Sequence, residues 1–247
     1  MSTEHSVAAR DFSLNSCQAV IFTPDEGMSV RKFLSGLGKA WDGRFDGDPV
    51  VLPNAETAPR EAPRVILPNA AGDWRCQLAP TRLDVFWQKI TPETAGPGLS
   101  EFFDETSTLL GEYRKYFDLR AARLAAVVTR YVPHEAPGSF LAGHFCSPRW
   151  LEAPLNRPES FELHARKVYE LEKGYKINSW VRSKTGVLPA ESNRPIILVE
   201  QDLNTLAEDA PGRAFSEDEI RAFFTAASKE LDDILMLYYP EETEERS

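Results

Sequence analysis

The middle of the chain is patterned with a period of two. In "RVILP" (64–68), "WRCQLAP" (74–80) and "RLDVFWQKI" (82–90), apolar residues recur at alternate positions, which is the spacing of a β-strand with one buried face. The intervening "NAAGD" is typical of a hairpin turn. The pattern therefore predicts three consecutive antiparallel strands.

Two longer stretches repeat their apolar residues at helical spacing. Residues 99–119 and 216–239 each carry one apolar stripe, the face that a helix lays on a sheet. In the second stretch, Ser216 and Glu219 have the spacing of a capping box, and Pro240 ends the helix. The stripes consist of Phe102, Phe103, Thr106, Leu109, Leu110, Tyr113 and Phe117, and of Ile220, Phe223, Phe224, Ala227, Leu231, Ile234, Leu235 and Tyr238.

The remaining elements are predicted from composition and turn residues. A weaker helix, interrupted by Gly36 and Gly38, is predicted over 27–41. Stretches rich in Pro and Gly predict loops over 42–63 and 134–158, the first with a short extended segment at Val50 to Leu52. Further strands are predicted at 17–24, 122–133, 160–171, 175–186 and 194–203.

Runs of strands punctuated by helices indicate an α+β protein with antiparallel sheets, not alternating βαβ winding. Three strands followed by a long amphipathic helix occur twice, so we expect two loosely similar β-rich halves, about 16–120 and 121–240, within a single domain over 16–240. Residues 1–15 are predicted to be a disordered tail, and residues 241–247 an acidic one.

The amino-acid composition excludes several classes of function for this protein. The formal net charge of the 247 residues is −10, and a field of that sign repels phosphate backbones. We therefore expect no direct nucleic-acid binding. No apolar run is long enough for a membrane helix, so we expect no membrane association. Cys17, Cys76 and Cys146 are odd in number and widely spaced, which favours free thiols in a reducing cytoplasm.

The one stretch that suggests chemistry is "GHFCSPRW" (143–150), with His144 two residues before Cys146. A zinc site needs about four ligands, usually in paired spacings, and no second pair accompanies this one. A catalytic Cys needs a base and an electropositive pocket, for which nothing else in the sequence argues. We interpret the stretch as an ordinary loop, and predict no catalytic residue, no metal and no cofactor.

A second candidate is a polar sheet face. Alternation places Glu162, His164 and Arg166 on one face of their strand. It places Lys176, Asn178, Trp180 and Arg182 on one face of the next strand, and Arg130 is expected on the same surface. Arg and Trp are frequent among the residues that dominate binding energy at interfaces. A solvated face with cross-strand charge pairs is the alternative.

The last helix offers a third candidate, because Phe223 and Phe224 stand side by side in its first half. The default interpretation of such a stripe is core. Part of this stripe could instead contact a partner protein, so both residues are included among the predicted binding residues.

Several of these segments resemble a numbered, uncharacterised family of prokaryotic proteins of about this length with a sporadic distribution. The resemblance is carried by "VILPNAAGDWRCQLAPTRLDVFWQKI", "RLAAVVTRYV", "PIILVEQDLNTLAE" and the final helix, and it runs from about Val65 to Glu242. Ala227 and Ser228 stand where the family usually has a Leu-His pair, and Tyr238-Tyr239-Pro240 replaces its usual ending. The family implies no activity, and its patchy distribution is like that of defence and toxin–antitoxin genes.

These observations favour a non-catalytic cytoplasmic binding protein that acts in a protein complex or by self-association, in a prokaryotic setting such as phage defence or an antitoxin-like system. Two alternatives stay open. One is a small-molecule binder that uses the space between sheet and helices. The other is an enzyme centred on His144, His164 or Cys146.

Overall fold

A computed structural model of the chain describes residues 6–24, 29–53, 58–151, 157–171, 174–188 and 191–241. Its centre is one nine-stranded sheet in the order β2-β3-β4-β5-β1-β6-β9-β8-β7, in which every neighbouring pair is antiparallel. The prediction of an α+β protein with antiparallel strands is confirmed. The strands are β1 (Ser13–Phe22), β2 (Val50–Val51), β3 (Val65–Pro68), β4 (Trp74–Ala79), β5 (Arg82–Gln88), β6 (Arg123–Pro133), β7 (Glu162–Leu171), β8 (Tyr175–Leu188) and β9 (Arg194–Thr205).

Four α-helices accompany the sheet in the described part of the chain: α1 (Val30–Phe33), α2 (Leu99–Phe117), α3 (Pro137–Phe145) and α4 (Glu217–Tyr238). A π-helical turn, Leu34–Gly38, continues α1. Asp118 ends α2 in the left-handed conformation, with φ 53°. The capping box of α4 forms as its sequence predicts, because Ser216 Oγ accepts from the Glu219 amide at 3.2 Å and Glu219 accepts from the Ser216 amide at 2.7 Å.

On each side, the chain forms a central strand first, crosses to the outer edge of the sheet and returns strand by strand to the centre. β1 pairs with β5 on one side and with β6 on the other, and β6 pairs in turn with β9. Strands β1 to β5 therefore occupy one wing of the sheet and β6 to β9 the other. The middle of the molecule is the β1–β6 pair, where the two wings meet.

The hydrophobic core lies between one face of the sheet and the helices. Alternate residues of the strands point into it, including Cys17, Ala19 and Ile21 of β1. Helices α2 and α4 meet above the sheet, where the rings of Phe103 and Phe224 stack at 5.5 Å. Burying such an aromatic side chain stabilises the fold by about 1.5–3 kcal/mol, so the Phe stripes hold the two wings together.

Two segments differ from the sequence predictions. β1 begins at Ser13, and Val7 and Ala8 are buried against the fold, with the Ala9 amide donating to the Tyr239 carbonyl at 2.9 Å. Residues 6–15 thus form part of the ordered structure instead of a disordered tail. The predicted loop over 134–158 contains α3, which begins at Pro137, a residue suited to the first helical turn because its missing N–H needs no partner there.

Candidate binding face

The sheet has two unlike faces. The helices cover the face that holds the core, and the side chains at the intervening positions point to the opposite side. We call this second side the open face. It includes Gln18, Val20 and Phe22 of β1; Arg75 and Gln77 of β4; Arg82, Asp84 and Phe86 of β5; Arg123, Ala125, Val127 and Thr129 of β6; Glu162, His164, Arg166, Val168 and Glu170 of β7; Lys176, Asn178, Trp180, Arg182 and Lys184 of β8; and Glu200, Asp202 and Asn204 of β9.

An Arg-Phe-Arg row forms where the two wings meet. Phe22 lies directly opposite Arg82 on β5 and Arg123 on β6. Both guanidinium groups lie over the Phe22 ring, at 5.4 and 4.6 Å from its centroid. Cation–π contacts of this kind fix the positions of the two planar guanidinium groups relative to the ring.

The same arrangement recurs on both wings. Trp180 of β8 has Arg166 directly opposite it on β7 and Arg182 two residues further along its own strand, at 5.7 and 5.6 Å from the ring. On the other wing, the Arg75 guanidinium lies 4.5 Å from the Phe86 ring. Arg–aromatic stacks therefore span the open face from β4 to β7.

Carboxylates on this face are mostly engaged. Asp84 accepts from both Arg82 and Gln18, and Arg182 forms an ion pair with Glu200. Asp202 accepts from the Asn204 amide at 3.0 Å, and its partial burial raises the pKa of its carboxyl. Among the described contacts Asp202 forms no ion pair, so its carboxylate can accept a hydrogen bond from a bound molecule.

The open face has a charge opposite to that of the whole chain. Its cations are Arg75, Arg82, Arg123, Arg166, Lys176, Arg182 and Lys184, and its carboxylates are Asp84, Glu162, Glu170, Glu200 and Asp202. Cations outnumber anions here, although the chain carries a net charge of −10. The acidic residues are therefore concentrated on the rest of the protein.

Several side chains in the middle of the open face are small. Val20, Ala125, Val127 and Thr129 lie along β1 and β6, between the larger side chains of β5 and β9. Val20 and Ala125 are only 2% and 5% exposed, although neither belongs to the helix-side core. Neighbouring side chains on the same face therefore cover these two residues.

The predicted surface residues of β7 and β8 are on this face, as alternation requires. His164, Arg166, Trp180 and Arg182 come together there, since His164 pairs with Arg182 and Arg166 with Trp180 in the strand register. His164 Nε2 lies 2.6 Å from the Glu162 carboxylate, and this contact holds the pKa of Glu162 below its usual range. Whether these residues bind a partner stays a prediction.

Arg130, Phe223 and Phe224 lie elsewhere. Arg130 projects from the opposite face of β6, is 5% exposed and donates to Gln201 and Asp232 under α4. Phe223 and Phe224 are fully buried. These three side chains cannot present a surface to a partner without unfolding, because they fill the space between helix and sheet.

Sequence reasoning missed Arg75, Arg82 and Arg123 together with the rings of Phe22 and Phe86. The sequence of β5 did indicate an aromatic residue on this face, because Phe86 shares its alternating positions with the polar residues Asp84 and Gln88. The pairing of Arg123 with Phe22 left no such signal, because it depends on the register between β1 and β6.

His144 and Cys146 belong to the end of α3, not to a loop. His144 Nε2 donates to the Tyr238 carbonyl at 2.7 Å, and its ring stacks on Tyr239 at 5.1 Å and on Phe140 at 5.5 Å. These contacts fasten α3 to the end of α4. Cys146 caps the helix through its amide, which donates to Ala142.

The other two thiols are buried on the helix side. Burial raises the pKa of Cys17 and of Cys76, so both stay protonated and unreactive at neutral pH. Among the described residues, no group of three or more His, Cys, Asp or Glu side chains is placed to hold a metal ion.

A cavity of about 590 Å³ lies at the N-terminal end of α3, outside the space between sheet and helices. It is open to solvent and lined in part by Glu135, Ser139, Arg157 and Val187. The small-molecule alternative had placed its ligand between sheet and helices, where large aromatic side chains such as Phe102 and Phe223 are fully buried.

The described helices include none that combines the length and apolar character of a membrane span. Comparison of the chain with protein-family models, with curated proteins and with solved structures gave no match.

Proposed function

We propose that this chain is a non-enzymatic binding protein that acts in a protein complex and engages its partner through the open face of the sheet. The observation that carries the proposal is the series of Arg–aromatic stacks from Arg75 to Arg166 across a face that no described helix covers. Arg and Trp are, with Tyr, enriched among the residues that dominate binding energy at protein interfaces.

The size of the face supports a protein partner. Nine strands leave eight gaps of about 4.8 Å, so the face is about 38 Å wide. With strands about 20 Å long, it offers on the order of 800 Å², which is what one partner contributes to a stable interface. The two β-rich halves then act as two wings of one surface.

Charge pairing on the face favours protein over nucleic acid. The carboxylates of Asp84, Glu200 and Asp202 lie beside the arginines in the middle of the sheet. A phosphate backbone placed there would be repelled by them, whereas a protein surface can match both signs.

The cellular setting is proposed on other grounds. We propose a cytoplasmic location because the three cysteines are free thiols, as is usual in a reducing compartment. The link to prokaryotic defence or antitoxin-like systems rests on the resemblance of Val65 to Glu242 to a sporadically distributed family.

The proposal is tested by gentle affinity purification from the protein's own host, followed by native mass measurement of what elutes. The double variant Trp180→Ala/Arg166→Ala removes one Arg–aromatic stack from the open face. Arg221→Ala, on the exposed side of α4, is the matched control. We expect a stoichiometric protein partner with wild type and Arg221→Ala, and its loss with the double variant. A partner retained by the double variant, or a bare monomer throughout, would overturn the proposal.

A further inference from the structure

We infer that the chain forms a symmetric dimer in which the edge strand β7 pairs antiparallel with β7 of a second copy, with Val168 opposite Val168 of that copy. The inference does not rest on the proposed function, because it concerns an edge of the sheet and not the partner of the open face. In the described part of the chain, β7 pairs with β8 alone. A strand edge left without a partner is a template for another strand.

The edge formed by β7 is long, unlike the opposite edge of the sheet. β7 covers ten residues, whereas β2 on the other edge covers two. Very short strands and prolines protect an edge from pairing, and β7 is not short and contains no proline. Near its middle, the side chain of Val168 is 49% exposed. Pairing with a second copy would bury this apolar side chain against its own equivalent.

The charges on β7 are complementary to those of a second copy. Arg166 precedes Val168 by two residues and Glu170 follows it by two, so all three side chains are on the open face. A two-fold axis through the Val168 pair therefore sets Arg166 of each copy opposite Glu170 of the other. Directly opposed Cβ atoms of antiparallel strands are about 4.5–5.5 Å apart, so both ion pairs would form at once.

Arg166 and Glu170 are both available for this contact. Arg166 contacts the Trp180 ring and donates to the Asn178 side-chain oxygen. Glu170 lies opposite Lys176 in the register of β7 and β8. Neither Arg166 nor Glu170 forms an ion pair among the described residues. A charge without an ion pair loses less when it turns to a new partner.

The helix-side face of β7 fits the same register. Lys167 lies 4.8 Å from the centroid of the Tyr169 ring, and the Tyr169 hydroxyl donates to the Glu230 carboxylate on α4. In the register centred on Val168, Lys167 of each copy lies opposite Tyr169 of the other. A lysine on an edge strand can also prevent pairing, but here it meets an aromatic ring with a carboxylate beside it.

Other registers are less favourable. Opposed side chains must share a face of the continuous sheet, so the two-fold axis has to pass through a residue of β7. An axis at Arg166 or at Lys167 sets two cations directly against each other, which is destabilising. An axis at His164 sets Glu162 against Arg166, but Glu162 already contacts His164 at 2.6 Å.

Sedimentation equilibrium of the purified full chain over a range of concentrations measures the association. One strand pair buries less area than a standard interface, so we expect a monomer–dimer equilibrium with a Kd in the micromolar range. Arg166→Glu should weaken the dimer at least tenfold, because it sets carboxylates opposite each other at both ends of the pairing. Glu170→Arg should weaken it as much by setting guanidinium groups together.

A mixture of these two variants tests the register directly. In a heterodimer of Arg166→Glu with Glu170→Arg, each introduced charge meets an opposite charge on the other copy. The dimer should therefore return in the mixture, although neither variant dimerises well alone. The double variant Arg166→Glu/Glu170→Arg should dimerise with itself for the same reason. Such recovery cannot come from a general effect of the substitutions on folding.

Two lysine variants compare the two edges of the sheet. Val168→Lys places two cations on the two-fold axis and should weaken the dimer at least tenfold. Val51→Lys adds the same charge on β2, at a 56% exposed position of the opposite edge, and should leave the dimer unchanged. Circular dichroism checks that each variant folds.

Several outcomes would overturn the inference. They are a wild-type chain that stays monomeric up to about 200 µM, where a micromolar dimer would be nearly complete, a dimer that persists in both single charge variants, and a mixture that stays monomeric. Equal effects of Val168→Lys and Val51→Lys, or a larger effect of Val51→Lys, would overturn it as well. None of these results bears on the proposed function, since the partner of the open face is measured in the host and not with the chain alone.

Discussion

Arg130 on β6 donates to Asp232 on α4 and thereby ties the central sheet to the last helix. The guanidinium is buried and also donates to the side-chain oxygen of Gln201, whose own amide donates to the Leu231 carbonyl at 2.7 Å. Asp232, in contrast, has a side chain that is 59% exposed. The two members of this ion pair therefore contribute unequally to the stability of the fold.

Arg130→Ala should lower the free energy of unfolding by about 2–4 kcal/mol, because it leaves the buried Gln201 oxygen without its donor and opens a cavity. Asp232→Ala should cost less, about 1–2 kcal/mol, because it removes the counter-charge of a buried guanidinium that keeps its hydrogen bond to Gln201. Urea unfolding of both variants measures the difference. Arg130→Met keeps the apolar stem and should fall between them; equal losses for the Arg130 and Asp232 variants would show that the ion pair acts as a unit.

The position of Arg130 could have been predicted. Leu124, Ala126 and Val128 point into the core, and position 130 continues that alternation, so an arginine there must be buried. The sequence interpretation placed it with the polar residues because of its charge alone. Its partners could not have been predicted, since Asp232 comes from a helix whose rotation about its own axis is fixed only by packing.

Helix α3 was missed for a related reason. Its two glycines, Gly138 and Gly143, lower helix propensity and made the segment resemble a loop. The signal that could have found it is Pro137 at the first helical position. The antiparallel sheet, by contrast, was predictable because strand alternation is a local property, while the open face depends on registers between distant strands.

The two glycines of α3 should respond in opposite ways to substitution by alanine. A Cβ on Gly138 would lie 2.3 Å from the Pro158 carbonyl oxygen, a backbone atom that cannot move aside cheaply, whereas a Cβ on Gly143 would meet nothing within 4 Å. Gly138→Ala should therefore destabilise the protein by about 1–3 kcal/mol. Gly143→Ala should stabilise it by about 0.5–1 kcal/mol through helix propensity.

Thermal unfolding of these two variants makes the comparison, with wild type as reference. No loss of stability in Gly138→Ala would mean that the Pro158 and Glu159 backbone does not lie against α3 as described, and a loss in Gly143→Ala would mean that the space beside Gly143 is not open.

The capping box of α4 should make stability depend on pH. Hydrogen bonds from Ser216 hold the pKa of Glu219 below its ordinary value. A carboxyl whose pKa is lowered by folding contributes stability that is present above its unfolded pKa and lost as the pH falls through the folded value. Glu219→Gln should therefore cost about 0.3–1 kcal/mol at pH 7 and nothing at a pH well below the usual range of a glutamate.

Urea unfolding of wild type and Glu219→Gln over a pH series measures this effect. Asp218→Asn is the control, because it removes a charge from the same helical turn without removing a hydrogen bond to Ser216. The same pH dependence in both variants would assign the effect to the helix dipole and not to the capping box. Ser216→Ala should cost about 1 kcal/mol at neutral pH.

Asp202 on the open face should give the opposite pH dependence. Partial burial raises its pKa above the ordinary value, so the folded protein binds its proton more tightly than the unfolded chain does. Stability from this group is then present at low pH and decreases as the pH rises through the folded pKa. Asp202→Asn has no charge to bury and can still accept the hydrogen bond from Asn204, so the variant should be more stable than wild type at pH 7.

Urea unfolding of wild type and Asp202→Asn from acid to neutral pH measures the difference, which should disappear at a pH below the usual range of an aspartate. Glu200→Gln, on the same strand, provides the contrast, because Glu200 is paired with Arg182 and its replacement should destabilise the protein slightly at neutral pH. A stabilised Asp202→Asn variant would show that the carboxylate is kept on the open face at a cost to folding, as expected of a group that serves binding. A destabilised one would show that Asp202 serves the fold through its neighbours Arg123 and Arg182.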